Sequence, residues 1–352
     1  MAIDARAWFF NAPNEPLVEG PLRLDNPGKN EVIVAVKANG LCHTDLGFLD
    51  GSVKPNHALP LVLGHEAVGE VIEAGVGAEH LLGHSVVVPA VLPCGECDFC
   101  DAGRGNACLA QKMPGNDIHG AFATHMLVPS ASLISLEDAP ADFDKRTLSV
   151  VADAVSTAYQ AGRRANLSKD DVAIVIGAGG VGGFLVQVAA AKGAKVIALD
   201  TNTERLEMMR SHGADECILL GEKDARAVRK EVKSFCSNWN KSTLSYRIFE
   251  CAGVPAAQQQ AFTLIGRGSV MVQVGFSPQK VELRLSNLMA FDATVHGTWG
   301  CPPEVYPEVL SLIYSGKVKL DPFVDFAPLS EVNQVLSDMR DHKLTRRVIL
   351  TP

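Results

Sequence analysis

Four of the nine cysteines fall within fifteen residues, at Cys94, Cys97, Cys100 and Cys108. Gly95, Gly103 and Gly105 lie among them and let a short excursion of backbone wrap a small ion. Four thiolates close a tetrahedral sphere and leave no position open, so the spacing predicts a structural zinc site. Two disulfides or free buried thiols are the other readings of the same residues. Disulfides are disfavoured because Met1 to Phe10, with charges at Asp4 and Arg6, does not read as a secretion signal. A second cluster is Cys42-His43-Thr44-Asp45 with Gly64-His65-Glu66. Thiolate and imidazole suit zinc, and a catalytic zinc needs three protein ligands and an open position. Taken singly, Cys42 and His65 would more often be core residues. The other cysteines, Cys217, Cys236, Cys251 and Cys301, are scattered and read as packing residues.

A third motif is glycine-rich. The apolar run Val172–Ile176 meets Gly177-Ala178-Gly179-Gly180-Val181-Gly182, and a helical pattern follows over Val181–Ala191. A GxGxxG string between strand and helix predicts a dinucleotide site. Gly177 permits the turn, Gly179 lets the backbone approach a pyrophosphate, and Gly182 lets helix and strand pack closely. The free N–H groups of the helix start, from Gly180 onward, then face the phosphates. The next predicted strand, Lys195–Leu199, is followed by Asp200, eighteen residues past Gly182. A carboxylate there accepts ribose hydroxyls and repels a 2′-phosphate, so NAD is expected over NADP.

These motifs need a scaffold of two kinds. Residues 1–154 are rich in short β-type runs, such as Glu31–Val36 and Ser85–Val88, punctuated by glycine, proline and asparagine. They predict a mostly-β domain of barrel type, to which the last sixty residues, 293–352, return. Residues 155–292 alternate strand and helix, with a further helix over Thr203–His212, and predict a doubly wound parallel sheet. The whole is α/β in class, and its 352 residues suit two domains.

Cys42-His43-Thr44-Asp45, the string Gly64-His65-Glu66-x2-Gly69-x5-Gly75, the four-cysteine lobe and the glycine fingerprint occur together in one order. In this the chain resembles the zinc-containing medium-chain alcohol dehydrogenase family along essentially its whole length. The resemblance implies a GroES-like catalytic domain, a Rossmann NAD domain, and NAD with two zinc ions per chain as cofactors. It implies Cys42, His65 and Asp153 as catalytic zinc ligands; many relatives have cysteine where this chain has Asp153, and Glu66 is the alternative third ligand. It further implies that Asp45 orients His65, that Thr44 takes the alcohol's proton, and that Glu66 approaches the metal transiently. His43 and Arg347 would meet the pyrophosphate and Arg205 the adenosine ribose, while Thr157, Val181 and Val274 would pack on the cofactor. The proton-carrying histidine that the family often has five positions past the cysteine ligand is Gly47 here, so proton exit must use water or a group such as His57.

Which alcohol is oxidised is a finer question. The stretches Trp8-x2-Asn11-Ala12-Pro13-Asn14-Glu15-Pro16 and Lys112-Met113-Pro114-Gly115-Asn116-Asp117-x-His119-Gly120 resemble 6-hydroxycyclohex-1-ene-1-carbonyl-CoA dehydrogenases. Ala90, where small-alcohol enzymes often carry a bulky aromatic, is compatible with a cyclic substrate. The expected reaction is oxidation of a cyclic hydroxyenoyl-CoA to the ketone, with hydration of a conjugated dienoyl-CoA as a side activity if Gly47 leaves space for solvent. A broad-range NAD-linked secondary alcohol dehydrogenase is the alternative, and a non-catalytic zinc-lobed binding protein the alternative of another class. The net charge of −8 and the lack of a basic run argue against nucleic-acid or anionic-membrane partners. No stretch of about 18 uncharged apolar residues predicts a membrane span, so a cytoplasmic homo-oligomer, dimer or tetramer, is expected.

Overall fold

A computed structural model describes residues 3–352. The chain divides into two compact units. One runs to Ser156 and takes in Gly300–Tyr314 and Leu320–Pro352; the other is Thr157–Trp299 with Ser315–Lys319.

The first unit is built on strand Glu31–Gly40, which is buried along most of its length. Side chains alternate across a strand, so one sequence feeds two cores. Val32, Val34 and Val36 join Val71, Val86, Val88 and Met126 in one apolar cluster. Ile33 joins Trp8, Phe10, Leu61, Phe122 and Val348 in the other. The strand pairs antiparallel with Glu66–Ala74, His125–Pro129 and Arg347–Thr351. The register sets Gly40 opposite Glu66. Cys42 therefore lies just past the end of one strand and His65 just before the start of its neighbour.

The second unit carries a six-stranded parallel sheet. Counted along the chain, its strands are Val172–Ile176, Lys195–Asp200, Glu216–Leu219, Tyr246–Glu250, Val270–Gln273 and Thr294–Gly297, and they stand in the order third, second, first, fourth, fifth, sixth. That is the doubly wound order of dinucleotide-binding folds, with its switch point between the first and fourth strands. The first strand is buried throughout, as a central parallel strand covered on both faces requires. The sixth strand lies beyond residue 292, so the sheet continues past the point where the sequence pattern changes. Ser315–Lys319 also joins this unit: the buried Gln187 side chain donates to Lys319 O at 3.1 Å and accepts the Lys319 N–H at 2.8 Å. Among the described residues no helix is long and apolar enough to cross a membrane.

Gln187→Leu removes both of these bonds and leaves the Lys319 peptide groups unpaired. It is expected to lower the unfolding free energy by about 1–3 kcal/mol, measured by chemical denaturation against the parent chain.

Candidate metal centres and dinucleotide site

The short helix His43–Leu49 starts directly after Cys42. Asp45, in its first turn, accepts the Cys42 N–H at 3.0 Å through Oδ2, and its Oδ1 lies 3.5 Å from His65 Nδ1. The imidazole is thereby turned so that Nε2 faces Asp153, whose Oδ2 is 3.8 Å from it and 3.6 Å from Cys42 Sγ. Asp153 itself stands between the 3-10 helix Lys145–Ala152 and the α-helix Ala154–Arg164. One donor atom from each of Cys42, His65, Glu66 and Asp153 falls within a 4.8 Å span.

Both nitrogens of the buried His65 ring lack a hydrogen-bond partner. Burial alone disfavours its charged form, yet the Asp45 carboxylate, with Asp153 and Cys42, raises its pKa well above the ordinary value. A buried imidazole walled by anions is a place made for a cation, and thiolate, imidazole and carboxylate are a donor set that suits zinc. Glu66 is occupied differently. Burial pushes its pKa up to about 7, against the pull of Arg347, and both its oxygens are taken by the Arg347 guanidinium, Nε at 2.9 Å and Nη2 closer still. Asp153 thus stands with Cys42 and His65, while Glu66 shares the same 4.8 Å cluster with both its oxygens on Arg347.

Sequence reasoning passed over Gly40. A Cβ there would overlap Glu66 Oε2, which Arg347 pins in place, so only glycine lets that carboxylate lie across the strand. The strand register Gly40–Glu66 is the signal, and it exists only once the two strands are paired. Arg347 is buried, with its guanidinium on both Glu66 oxygens, a partnership the sequence did not mark. Gly47 is buried as well, with Val53 Cγ2 3.0 Å from where a Cβ would stand. Thr44 is half-buried, its Oγ1 3.6 Å from Cys42 Sγ, while His43 is exposed. His57 has its Nδ1 2.5 Å from Ala58 O and its ring 4.8 Å from that of His119.

The four lobe thiols form a closed set. Neighbouring sulfurs are 3.5 Å (Cys94–Cys108), 3.6 Å (Cys97–Cys100 and Cys97–Cys108) and 3.9 Å (Cys94–Cys100) apart. A tetrahedron with Zn–S of about 2.3 Å has edges of about 3.8 Å, whereas a disulfide needs about 2.05 Å. The spacing fits zinc, and all four cysteines are free. Backbone N–H groups of Cys94 and Ala110 point at Cys108 Sγ at 3.5 and 3.3 Å. The Cys100 N–H and the neighbouring thiols bring Cys97 down to about 7, so its thiolate forms readily.

In the second unit, Gly177–Gly182 joins the first strand to helix Gly180–Ala191. A side chain at Gly182 would overlap Gly177 O, so helix and loop meet at backbone distance. Asp200 ends the second strand, accepting the Ala178 N–H at 2.7 Å and the Asn202 N–H at 2.9 Å. Each oxygen keeps a second lone pair for a ribose hydroxyl. Arg205 lies beside the loop, its Nη1 3.8 Å from where a Gly179 Cβ would stand. Val181 and Val274 are half-buried, and Thr157 is buried in the same unit. Glu250, which the sequence did not mark, ends the fourth strand at the switch point. It accepts the Ala252 and Gly253 N–H groups at 2.8 Å each and Gln273 Nε2 at 2.5 Å, and burial raises its pKa.

Residues 28–138 match the family model described as an alcohol dehydrogenase GroES-like domain, and residues 180–315 that of a zinc-binding dehydrogenase. An alcohol dehydrogenase of Geobacillus stearothermophilus is 29% identical over 324 residues, 91% of each chain. An S-(hydroxymethyl)glutathione dehydrogenase of Haemophilus influenzae is 28% identical, covering 99% of this chain and 97% of its own. Among solved structures, an acetophenone reductase of Geotrichum candidum in complex with NAD superposes with a TM-score of 0.87 at 25% identity, covering 99% of this chain and 97% of its own.

Gly40→Ala should displace the Glu66 carboxylate and break its pair with Arg347. Loss of one arm of a buried ion pair costs about 3–5 kcal/mol. The expected outcome is a lower melting temperature and loss of zinc from the Cys42 site, while elemental analysis still finds the lobe zinc.

Proposed function

Because the chain belongs to the zinc-dependent medium-chain alcohol dehydrogenase family, we propose that it transfers hydride from a secondary alcohol to NAD at a site held by Cys42, His65 and Asp153. The observation that carries this reading is the meeting of thiolate, imidazole and carboxylate at one buried point, with Glu66 drawn off onto Arg347. Cys42, His65 and Asp153 would hold a zinc ion there as three protein donors and leave room for substrate. Zinc bound there would supply Lewis acidity, lowering the pKa of a bound hydroxyl. Asp45 keeps the His65 ring aimed through Nδ1. The Thr44 hydroxyl, 3.6 Å from Cys42 Sγ, takes the proton the alcohol gives up. Asp200 receives the adenosine ribose and turns away a 2′-phosphate, and the start of helix Gly180–Ala191 receives the pyrophosphate.

The broad reading, oxidation of simple secondary alcohols, has the support of relatives that are alcohol dehydrogenases across nearly the whole chain. A cyclic hydroxyenoyl-CoA is the narrower reading. Its support is the two local sequence resemblances and Ala90, a small buried residue whose backbone N–H donates to Ala152 O beside Asp153. Following NADH formation with zinc-loaded protein against a panel of both substrate kinds separates them. Turnover of simple secondary alcohols with the CoA ester untouched selects the broad reading, and the reverse selects the narrow one. Turnover of neither refutes both.

Elemental analysis should find two zinc ions per chain, one of which is lost in Cys42→Ala and the other in Cys97→Ala. Asp200→Ser should narrow the preference for NAD over NADP by about tenfold or more, equivalent to about 1.4 kcal/mol of discrimination, measured as the ratio of kcat/KM for the two cofactors.

A further inference from the structure

We propose that Tyr306 and Ser156 form a positioning pair that fixes the backbone on both sides of Asp153 and so keeps its carboxylate aimed at Cys42 and His65. The proposal rests on the reading of Asp153 as a zinc ligand. Asp153 needs such support because it belongs to no regular element. It caps the 3-10 helix Lys145–Ala152 with φ −136° and ψ −66°, and the next helix begins only at Ala154. Its side chain is 18% exposed, whereas that of His65, its neighbour across the site, is 1% exposed. Of the donors at this point, Asp153 is the one least fixed by packing.

Hydrogen bonds supply what packing does not. The Tyr306 hydroxyl donates to Ala152 O at 2.6 Å, fixing the peptide before Asp153. Ser156 Oγ lies 3.1 Å from Asp153 O and 3.2 Å from the Tyr306 hydroxyl, so its one proton is shared between those acceptors and ties the peptide after Asp153 to the same ring. Tyr306 is 1% exposed and Ser156 is fully buried. Phenylalanine and alanine would fill such places without the cost of burying a hydroxyl. The two hydroxyls therefore contribute geometry. Tyr306 comes from 154 residues beyond the carbonyl it holds, in the segment Gly300–Tyr314 that returns to the first unit. Partners one bond removed from a metal ligand typically change affinity or activity by about 10–100-fold when lost.

The test is Tyr306→Phe in the full, zinc-loaded chain, with zinc release to a colorimetric chelator followed in time. Ala152 O keeps its bond from the Ala90 N–H at 3.1 Å, so the backbone stays paired. The expected result is a split. Zinc of the Cys42 site leaves about tenfold faster or more, lobe zinc leaves at the parent rate, and kcat falls while KM for NAD is unchanged. Ser156→Ala should move the same phase in the same direction, and it carries the test alone if Tyr306→Phe does not fold. Parent rates in both phases with unchanged kcat overturn the proposal, and so does equal acceleration of both phases. Asp153→Asn is run beside them: if it too releases zinc at the parent rate, the ligand reading itself has failed. If it accelerates release and the two hydroxyl variants do not, only the positioning role falls.

Discussion

Cys42, Asp45, Glu66 and Asp153 close around one imidazole and one guanidinium, and all but Asp153 are buried. Two like charges 4 Å apart repel by about 4 kcal/mol even at an effective dielectric of 20. Desolvating each ion costs several kcal/mol more. Such a cluster persists only where positive charge is delivered to it. Arg347 delivers one charge, and its strand must reach the site to do so: Arg347–Thr351 pairs with the end of Glu31–Gly40, setting Ile349 opposite Gly40. Asp45 and Asp153, on either side of the His65 ring, favour a second at the imidazole. The last strand, laid against the central one, is what brings that charge to the cluster.

The two metal centres answer different demands with different donors. In the lobe, four thiolates sit near the surface, Cys94 exposed and Cys108 buried. Their sulfurs already stand close to the edges of a tetrahedron, so an ion there crosslinks a loop that has little apolar packing of its own. In the interior site the donors are mixed and their partners are side chains with other bonds to keep. The Asp45 carboxylate holds the Cys42 N–H and faces His65 at once, so one residue, three positions past the first and twenty before the second, braces both.

What could be read before folding was local. The glycine fingerprint, the lobe spacing and the alternation of strand and helix depend on neighbours within a few tens of residues, and periodicity reports such neighbours. The first strand, Val172–Ile176, and the helix behind it stand where their pattern sets them, the helix starting one residue earlier at Gly180. Asp153 became visible only by resemblance, since a lone aspartate before a helix carries no ligand signature. The partnership of Arg347 with Glu66 spans 281 residues and that of Tyr306 with Ala152 spans 154. Neither has a pattern in sequence, because an arginine or a tyrosine near the end of a chain is compatible with many partners. Glu250 is similar: its role as a clamp on the turn after the fourth strand is fixed by which strand lies beside it.

Asp200 carries one more consequence. Its carboxylate holds the glycine loop by the Ala178 N–H and begins the turn into the next helix by the Asn202 N–H. The carboxylate we propose as the discriminator between dinucleotides is therefore also a strut of the glycine loop. Replacing that carboxylate to admit a phosphate would remove two backbone anchors at the same moment. On that reading coenzyme choice and loop integrity are coupled: an exchange of coenzyme calls for new partners for the Ala178 and Asn202 N–H groups.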